Sequence, residues 1–367
     1  MSRSLLYAIA VALTLELVFC LFPPAAQAHI GAGIVVDRAG RVYFFDTLRG
    51  RVWMVDEAGR VQSLAEHKHG DALVLGPDGN LYCEDVISGG VWKITSAGAA
   101  TEVLPKAKRS TAVGWTYFLT LGADGSFYFV SGYPDQVKLL KVDSDGKGDI
   151  IAGSTRGVAD GPDREAQFRE VRAAAWGADG ALYLIDGDSI RKLTADGMVS
   201  TVAGGSEEGY ADGTGAAARF LHPTNLSLDA KGNIFVADFG NRRVRKITPA
   251  GEVSTLIDAG KAWTPIGIAG VAAAGGDVYV LERFGLYNSP SIFLTWFGDL
   301  AGNPRVRKIS ADGNIVTVAT IRGLTGLGIT TGLLTFGAAL IFSAVVWLIR
   351  WLRRRRTRRM ALKHATA

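Results

Sequence analysis

Six short phrases recur along this chain: "GRVYFFD" at 40–46, "GNLYCED" at 79–85, "GSFYFVS" at 125–131, "GALYLID" at 180–186, "GNIFVAD" at 232–238 and "GDVYVLE" at 276–282. They align without gaps, each running from a glycine through apolar and aromatic residues to a polar stop. A second strand-like phrase follows every one: "RVWMVDEAG", "GVWKITSAG", "VKLLKVDSDG", "SIRKLTADG", "RVRKITPAG" and "RVRKISADG". From the first glycine to the second is 19 residues in three units, 21 and 17 in two, and 37 in the last, so only the last unit holds a large insertion. Apolar runs such as "GIVVD" or "NLSLD" precede the first glycine, and others such as "VSTLI" follow the second. That makes four short strands per unit, bounded by glycine turns. No such unit buries a core alone, but six arranged radially bury their faces against one another. The pattern predicts an all-β fold, a six-bladed β-propeller with four-stranded blades, over about residues 31–321.

The ends have their own character. The first 28 residues combine Arg3, an apolar stretch from Leu5 to Leu15 and small residues at Ala26 and Ala28. This reads as a secretory signal peptide cleaved after "AQA", with an uncleaved anchor as the alternative. Residues 323–349 contain no charge, and at 27 residues they exceed the length a transmembrane helix needs. "RWLRRRRTRR" follows, and by the positive-inside rule this basic tail, 350–367, stays cytoplasmic while the 29–322 domain faces outward, periplasmic or extracellular. The tail carries +8 of formal charge, so residues 29–349 carry −3 of the total of +5. A mildly acidic outer domain has no electrostatic reason to seek nucleic acid. Cleavage leaves Cys83 as the one remaining cysteine, so no intramolecular disulfide forms and the core alone must hold the domain.

A doubled phrase marks the middle of the chain. "GVADGPDREAQF" runs from Gly157 to Phe168 and "GYADGTGAAARF" from Gly209 to Phe220. Both fall on connections between the last strand of one unit and the first of the next, so each reads as a joint, with Phe168 and Phe220 wedged between blades and Asp163, Arg164, Glu207 and Glu208 at exposed tips. Alternating strand direction puts these connections on the same face as the turns between second and third strands. That face also holds "PKAKRSTAVGW" (105–115) and the insertion "RFGLYNSPSIFLTWFGDLAGN" (283–303). The short tether to the span turns this face toward the bilayer, and Phe293, Trp296 and Phe297 then rest either in the lipid interface or as a lid on the propeller. The first unit begins with its innermost strand and the last ends with its outermost. The ring is therefore expected to close by face packing, with no strand exchanged.

The run "GYADGTGAAARFLHPTNLSLDAKGNIFVADFGNRRVRKITPAGEVSTLIDAG" (209–260) resembles an NHL repeat, and the six units together resemble an NHL-type six-bladed propeller. Unit three departs from it, with Ser131 at the usual aspartate. Gluconolactonase-like relatives hold a divalent cation at the channel mouth with carboxylate and Asn oxygens, which suits a hard cation. Near the starts of the innermost strands here stand Asp71, Arg172, His222 and Asn225, the candidate ligand-binding residues at that mouth. The first unit opens "HIGAGIVVD", without the carboxylate such enzymes place there. Amidating-lyase relatives use histidines on zinc, and here His67 and His69 share one side of an extended chain. Cleavage after Ala28 would give His29 an amine and an imidazole able to chelate copper together.

The polar stops Asp46, Asp85, Asp186, Asp238 and Glu282 recur in too many units to form one catalytic site and read as caps on the strand two-to-three turns. No hydrolase elbow, phosphate loop or zinc-protease motif is present. The sequence therefore points to a membrane-anchored extracytoplasmic propeller that binds a protein, peptide or small-molecule ligand on its loop-bearing face. No cofactor is expected; the alternative is a hydrolase or lyase using Ca²⁺ or Zn²⁺ at the channel mouth.

Overall fold

The computed structural model describes residues 33–46, 50–66, 72–85, 88–108, 116–132, 134–205, 207–259, 266–284 and 304–320. Within them the alternating apolar phrases form antiparallel strands in six sheets, each built from consecutive strands. Blade one spans 34–66, blade two 73–104, blade three 116–152, blade four 171–204, blade five 223–258 and blade six 266–320. The first strands of successive blades touch in a closed cycle that runs from blade one through blade six and back to blade one. The expected radial propeller is therefore the fold.

The second strands of blades one, two, three and five, Val42–Asp46, Leu81–Asp85, Phe127–Ser131 and Ile234–Asp238, are buried along their length, because both of their faces meet a neighbouring blade. The core lies between blades. Val130 and Leu139 of blade three pack with Leu182 and Leu184 of blade four, and Ile185 and Ile190 of blade four with Leu226 and Val236 of blade five. Every outermost strand also carries one extra apolar residue opposite its partner, at Leu64, Val103, Ile151, Val202, Leu256 and Val318. Such a bulge bends the strand and increases its twist, which suits a blade that must curve against its neighbours.

Among the described residues no strand is exchanged at the closure. Ile34–Val36 lies against Ile266–Ala274, as packing alone requires, and the Arg283 guanidinium adds a hydrogen bond to the Phe45 carbonyl. The turn glycine Gly59 of blade one faces the Val318 bulge carbonyl of blade six, as Gly98 of blade two faces that of Leu64. The seam thus repeats the contact used inside the ring.

Blades four and five depart from the four-strand expectation. Each gains a fifth, two-residue strand from the doubled phrase: Gly161–Pro162 pairs with Val199 and Met198, and Gly213–Thr214 with Val253 and Glu252. Each copy runs outward to cover the outer edge of the blade it leads into, then returns to start the innermost strand. The phenylalanine that ends each copy is fully buried. Gly153, at φ +96°, and Gly204, at φ +83°, make this seat, because a Cβ on either would meet a backbone carbonyl and the edge of Phe168 or Phe220.

The leader, the 323–349 span, the basic tail and the 285–303 part of the insertion lie outside the described residues. Among the described residues, no helix is long and apolar enough to cross a membrane.

Candidate functional site

Two buried arginines organise the loop-bearing face. Arg191 and Arg245 occupy matching positions in the third strands of blades four and five, opposite Leu184 and Val236, with side chains 1% and 0% exposed. Arg191 donates to Asp186 (2.8 Å), Asp160 (2.7 Å) and the carbonyls of Ala159 and Gln167. Arg245 repeats this with Asp238 (3.0 Å), Asp212 (2.6 Å) and the carbonyls of Ala211 and Arg219. The guanidinium planes also lie over Phe168 and Phe220. Each arginine thus reads one copy of the doubled phrase from inside, and the aspartate of each "ADG" closes the clasp by accepting from Thr201 or Thr255.

The polar stops work differently from the sequence expectation. Asp186 accepts from the N–H groups of Arg169 and Glu170, and Asp238 from that of Leu221, all ahead of the first strand. Glu282 takes Arg305 and Arg307. Asp85 does reach the turn, at the Ser88 hydroxyl, and Asp238 also accepts from Asn241 there. These carboxylates join the second strand to the incoming chain because their charge must be matched once the blades close over it. Burial pushes the Asp238 carboxyl up to about 6 and raises that of Asp186.

Two of the sequence candidates meet at one turn. Blade four crosses from second to third strand through Gly187 and Asp188 alone, with Gly187 in the left-handed region at φ 59°. Arg172 donates to the Gly187 carbonyl (3.2 Å) and holds Glu170 with two hydrogen bonds (3.1 and 2.8 Å). His222 donates its backbone N–H to Asp188 (2.8 Å), and its Nε2 lies 3.9 Å from Glu208. His222 is one of two described non-glycine residues with positive φ, at 47°, a strained conformation that the Asp188 bond and the following Pro223 hold in place. Arg172 is the extra residue of a bulge, skipped between the Val171–Asp186 and Ala173–Ile185 pairs. Glu170 and Asp188 escaped the sequence reading. The available signal was the shortened "IDGDSI" turn, two residues where the other described turns of this kind have more.

Asn225 stands apart from that pair. Its Oδ1 accepts from the Val271 N–H (2.8 Å), Ser227 accepts from Ala273 (3.0 Å), and Thr224 donates to the Ala269 carbonyl (2.9 Å). The innermost strand of blade five is therefore stitched to that of blade six by side chains. The cation that the family resemblance implies does not fit these residues. The oxygen of Asn225 is occupied by a backbone donor, and the mouth near His222 presents the cationic Arg172. Among the described residues no three His, Cys, Asp or Glu side chains gather as a metal site. Asp71, His29, His67, His69, Phe293, Trp296 and Phe297 lie outside the described residues.

No family model matches the chain, and no curated protein matches it in sequence. Solved structures do. An auxiliary nutrient binding protein from Bacteroides thetaiotaomicron is similar at TM-score 0.52 and 13% identity over 68% of this chain and 66% of that one. A gluconolactonase from Xanthomonas campestris is similar at TM-score 0.50 and 12% identity, over 68% and 82%. A virginiamycin B lyase from Staphylococcus aureus reaches TM-score 0.47 and 14% identity, over 80% and 85%. The first two of these likenesses show the fold, a six-bladed propeller that a binding protein and an enzyme share.

Proposed function

We propose that the chain is an NHL-type propeller, anchored in a membrane by 323–349 and facing away from the cytoplasm, that binds a protein, peptide or small-molecule ligand on its loop-bearing face. One observation carries this reading: among the described cation candidates, the one amide oxygen, that of Asn225, is spent on a joint. Asn225 stitches blade five to blade six, while Asp186 and Asp238 hold buried arginines. Among the described residues near the surface of that face are the ion pairs Glu170–Arg172 and Glu207–Arg219, with Glu208 beside His222. Such pairs rearrange cheaply and steer a charged partner more than they fix the fold. Likeness to a nutrient binding propeller supports a binding role, and the charge-free span followed by an arginine-rich tail supports the anchor.

Proximity labelling from the outer domain in the native cell tests the proposal. The intact chain is expected to label a discrete partner, and the Glu170→Ala/Arg172→Ala/Glu208→Ala variant to lose that label while keeping its fold. A label set unchanged by the variant would contradict the binding face. Turnover of a lactone, dependent on added Ca²⁺ or Zn²⁺, would establish the hydrolase reading instead.

A further inference from the structure

Blade six repeats the arginine clasp of blades four and five with one half open. In those clasps Arg191 and Arg245 of the third strand face Thr201 and Thr255 of the fourth, and Arg307 faces Thr317 at the same register in blade six. The equivalent pairs of blades one, two and three are Trp53–Ser63, Trp92–Glu102 and Leu140–Ile150, so arginine opposite threonine belongs to the last three blades alone. Glu282 takes the place of Asp186 and Asp238 and accepts from the Arg307 Nη1 (3.1 Å). In blades four and five the arginine Nη2 grips an alanine carbonyl and the carboxylate that follows it, Ala159–Asp160 or Ala211–Asp212. That carboxylate also accepts from the threonine N–H and hydroxyl. Among the described residues the Arg307 Nη2 has no acceptor, and the side chain is 26% exposed where those of Arg191 and Arg245 are 1% and 0%. Thr317 is exposed too, and the residues leading into blade six, "AGKAWTP" (259–265), hold no carboxylate.

Charge and cover agree with this. Arg243 of blade five faces Asp258, whereas Arg305 faces Thr320 and turns to Glu282 instead (Nε to Oε2 2.6 Å). Two guanidinium groups thus share one buried carboxylate, an excess of one positive charge that a further carboxylate offsets. Val199 and Val253 lie beside the two-residue strands of the doubled phrase and are 1% and 2% exposed, while Ile315 at the same register is 40% exposed. An open edge of this kind takes an added strand. The doubled phrase also shows what must follow the aspartate: Gly161 and Gly213 sit at φ 149° and 146°, which a side chain disfavours.

We propose that the outer edge of blade six docks an extended peptide of a partner protein carrying an Asp-Gly step. The aspartate joins the Arg307 Nη2 to the Thr317 N–H and hydroxyl, the carbonyl before it accepts from the same Nη2, and the glycine pairs beside Ile315. This rests on the reading of the propeller as a protein- or peptide-binding module, and gives that reading a place and a ligand chemistry.

Fluorescence anisotropy tests it, with a labelled peptide of the sequence of residues 157–168, "GVADGPDREAQF", titrated with the detergent-solubilised full chain. Binding should saturate, and should weaken about ten-fold or more when asparagine stands at the Asp160 position of the peptide. Arg307→Leu in the chain should weaken it as much, and the exposed change Thr317→Val should weaken it as well. Arg307→Leu gives blade six the residue type that blade three carries as Leu140 and leaves Glu282 paired with Arg305. No saturable binding, equal binding of the asparagine peptide, or binding indifferent to both chain variants overturns the proposal. So does binding that appears only once 285–303 are replaced by a glycine-serine linker, which assigns the arginine to the chain itself, or a dimer in solution that Arg307→Leu abolishes, which assigns it to a second copy. A flat curve beside a persisting proximity label overturns this site and leaves the wider reading in place. A curve that depends on the aspartate and on Arg307, from a chain that labels no partner in the cell, supports the site and counts against the wider reading.

Discussion

Arg191 and Arg245 each place four hydrogen bonds in the interior, two to carboxylates and two to carbonyls of the doubled phrase. Removing one member of such a buried pair strands the other charge. Arg245→Leu should therefore destabilise the protein by about 3–5 kcal/mol in urea unfolding, because Asp238 stays buried without its counter-charge. Asp212→Ala should cost about 1 kcal/mol, because that carboxylate is 43% exposed and water can take its place beside the arginine. Similar costs for the two would contradict the clasp. Asp238 also sets a pH dependence. Its folded value of about 6 lies above the ordinary 3.8, so the native state binds a proton across that window that the unfolded chain has released. The group's contribution to stability is full at pH below that window and lost as pH rises through it. The stability of the wild-type protein relative to Asp238→Asn should therefore fall between pH 4 and pH 6, on the order of the interval between those two values, and a flat or rising difference would contradict the assignment.

At the scale of elements, the joints decide the architecture. Phe220 is buried among Ile190, Ala203, Leu226 and Val236 of two blades, so Phe220→Ala should cost about 3–5 kcal/mol and lower the urea midpoint without changing the strand content seen by circular dichroism. A loss under about 1 kcal/mol would mean that the blades do not meet on this ring. The strands themselves were legible in the sequence because alternation and glycine turns are local signals: the six aligned phrases fall on the second strands. Three things were not legible, and each depends on partners far away in the chain. The fifth strands at 161–162 and 213–214 form only because Val199 and Val253 stand opposite them. The stops Asp186 and Asp238 looked like turn caps because their arginines, though near in sequence, reveal their role only when the doubled phrase folds over them. Asn225 looked like a channel ligand because nothing local shows that Val271, 46 residues away, donates to it.

For the whole molecule, every blade has a sheet of its own among the described residues, and the ring is held by inter-blade packing, by the Thr224–Asn225–Ser227 stitch and by Arg283 at the seam. On the proposed reading, polar groups at the channel mouth build joints and a ligand is met outside them. The most direct test is the urea unfolding midpoint of the purified full chain in millimolar CaCl₂, ZnCl₂ or EDTA. Any ion bound by the native state alone would raise stability by about 2.7 kcal/mol at a hundred-fold excess over its dissociation constant. The account predicts three coincident curves, with Asn225→Ala shifting all of them equally through the lost bond to Val271. A rise in Ca²⁺ or Zn²⁺ that Asn225→Ala abolishes would contradict it.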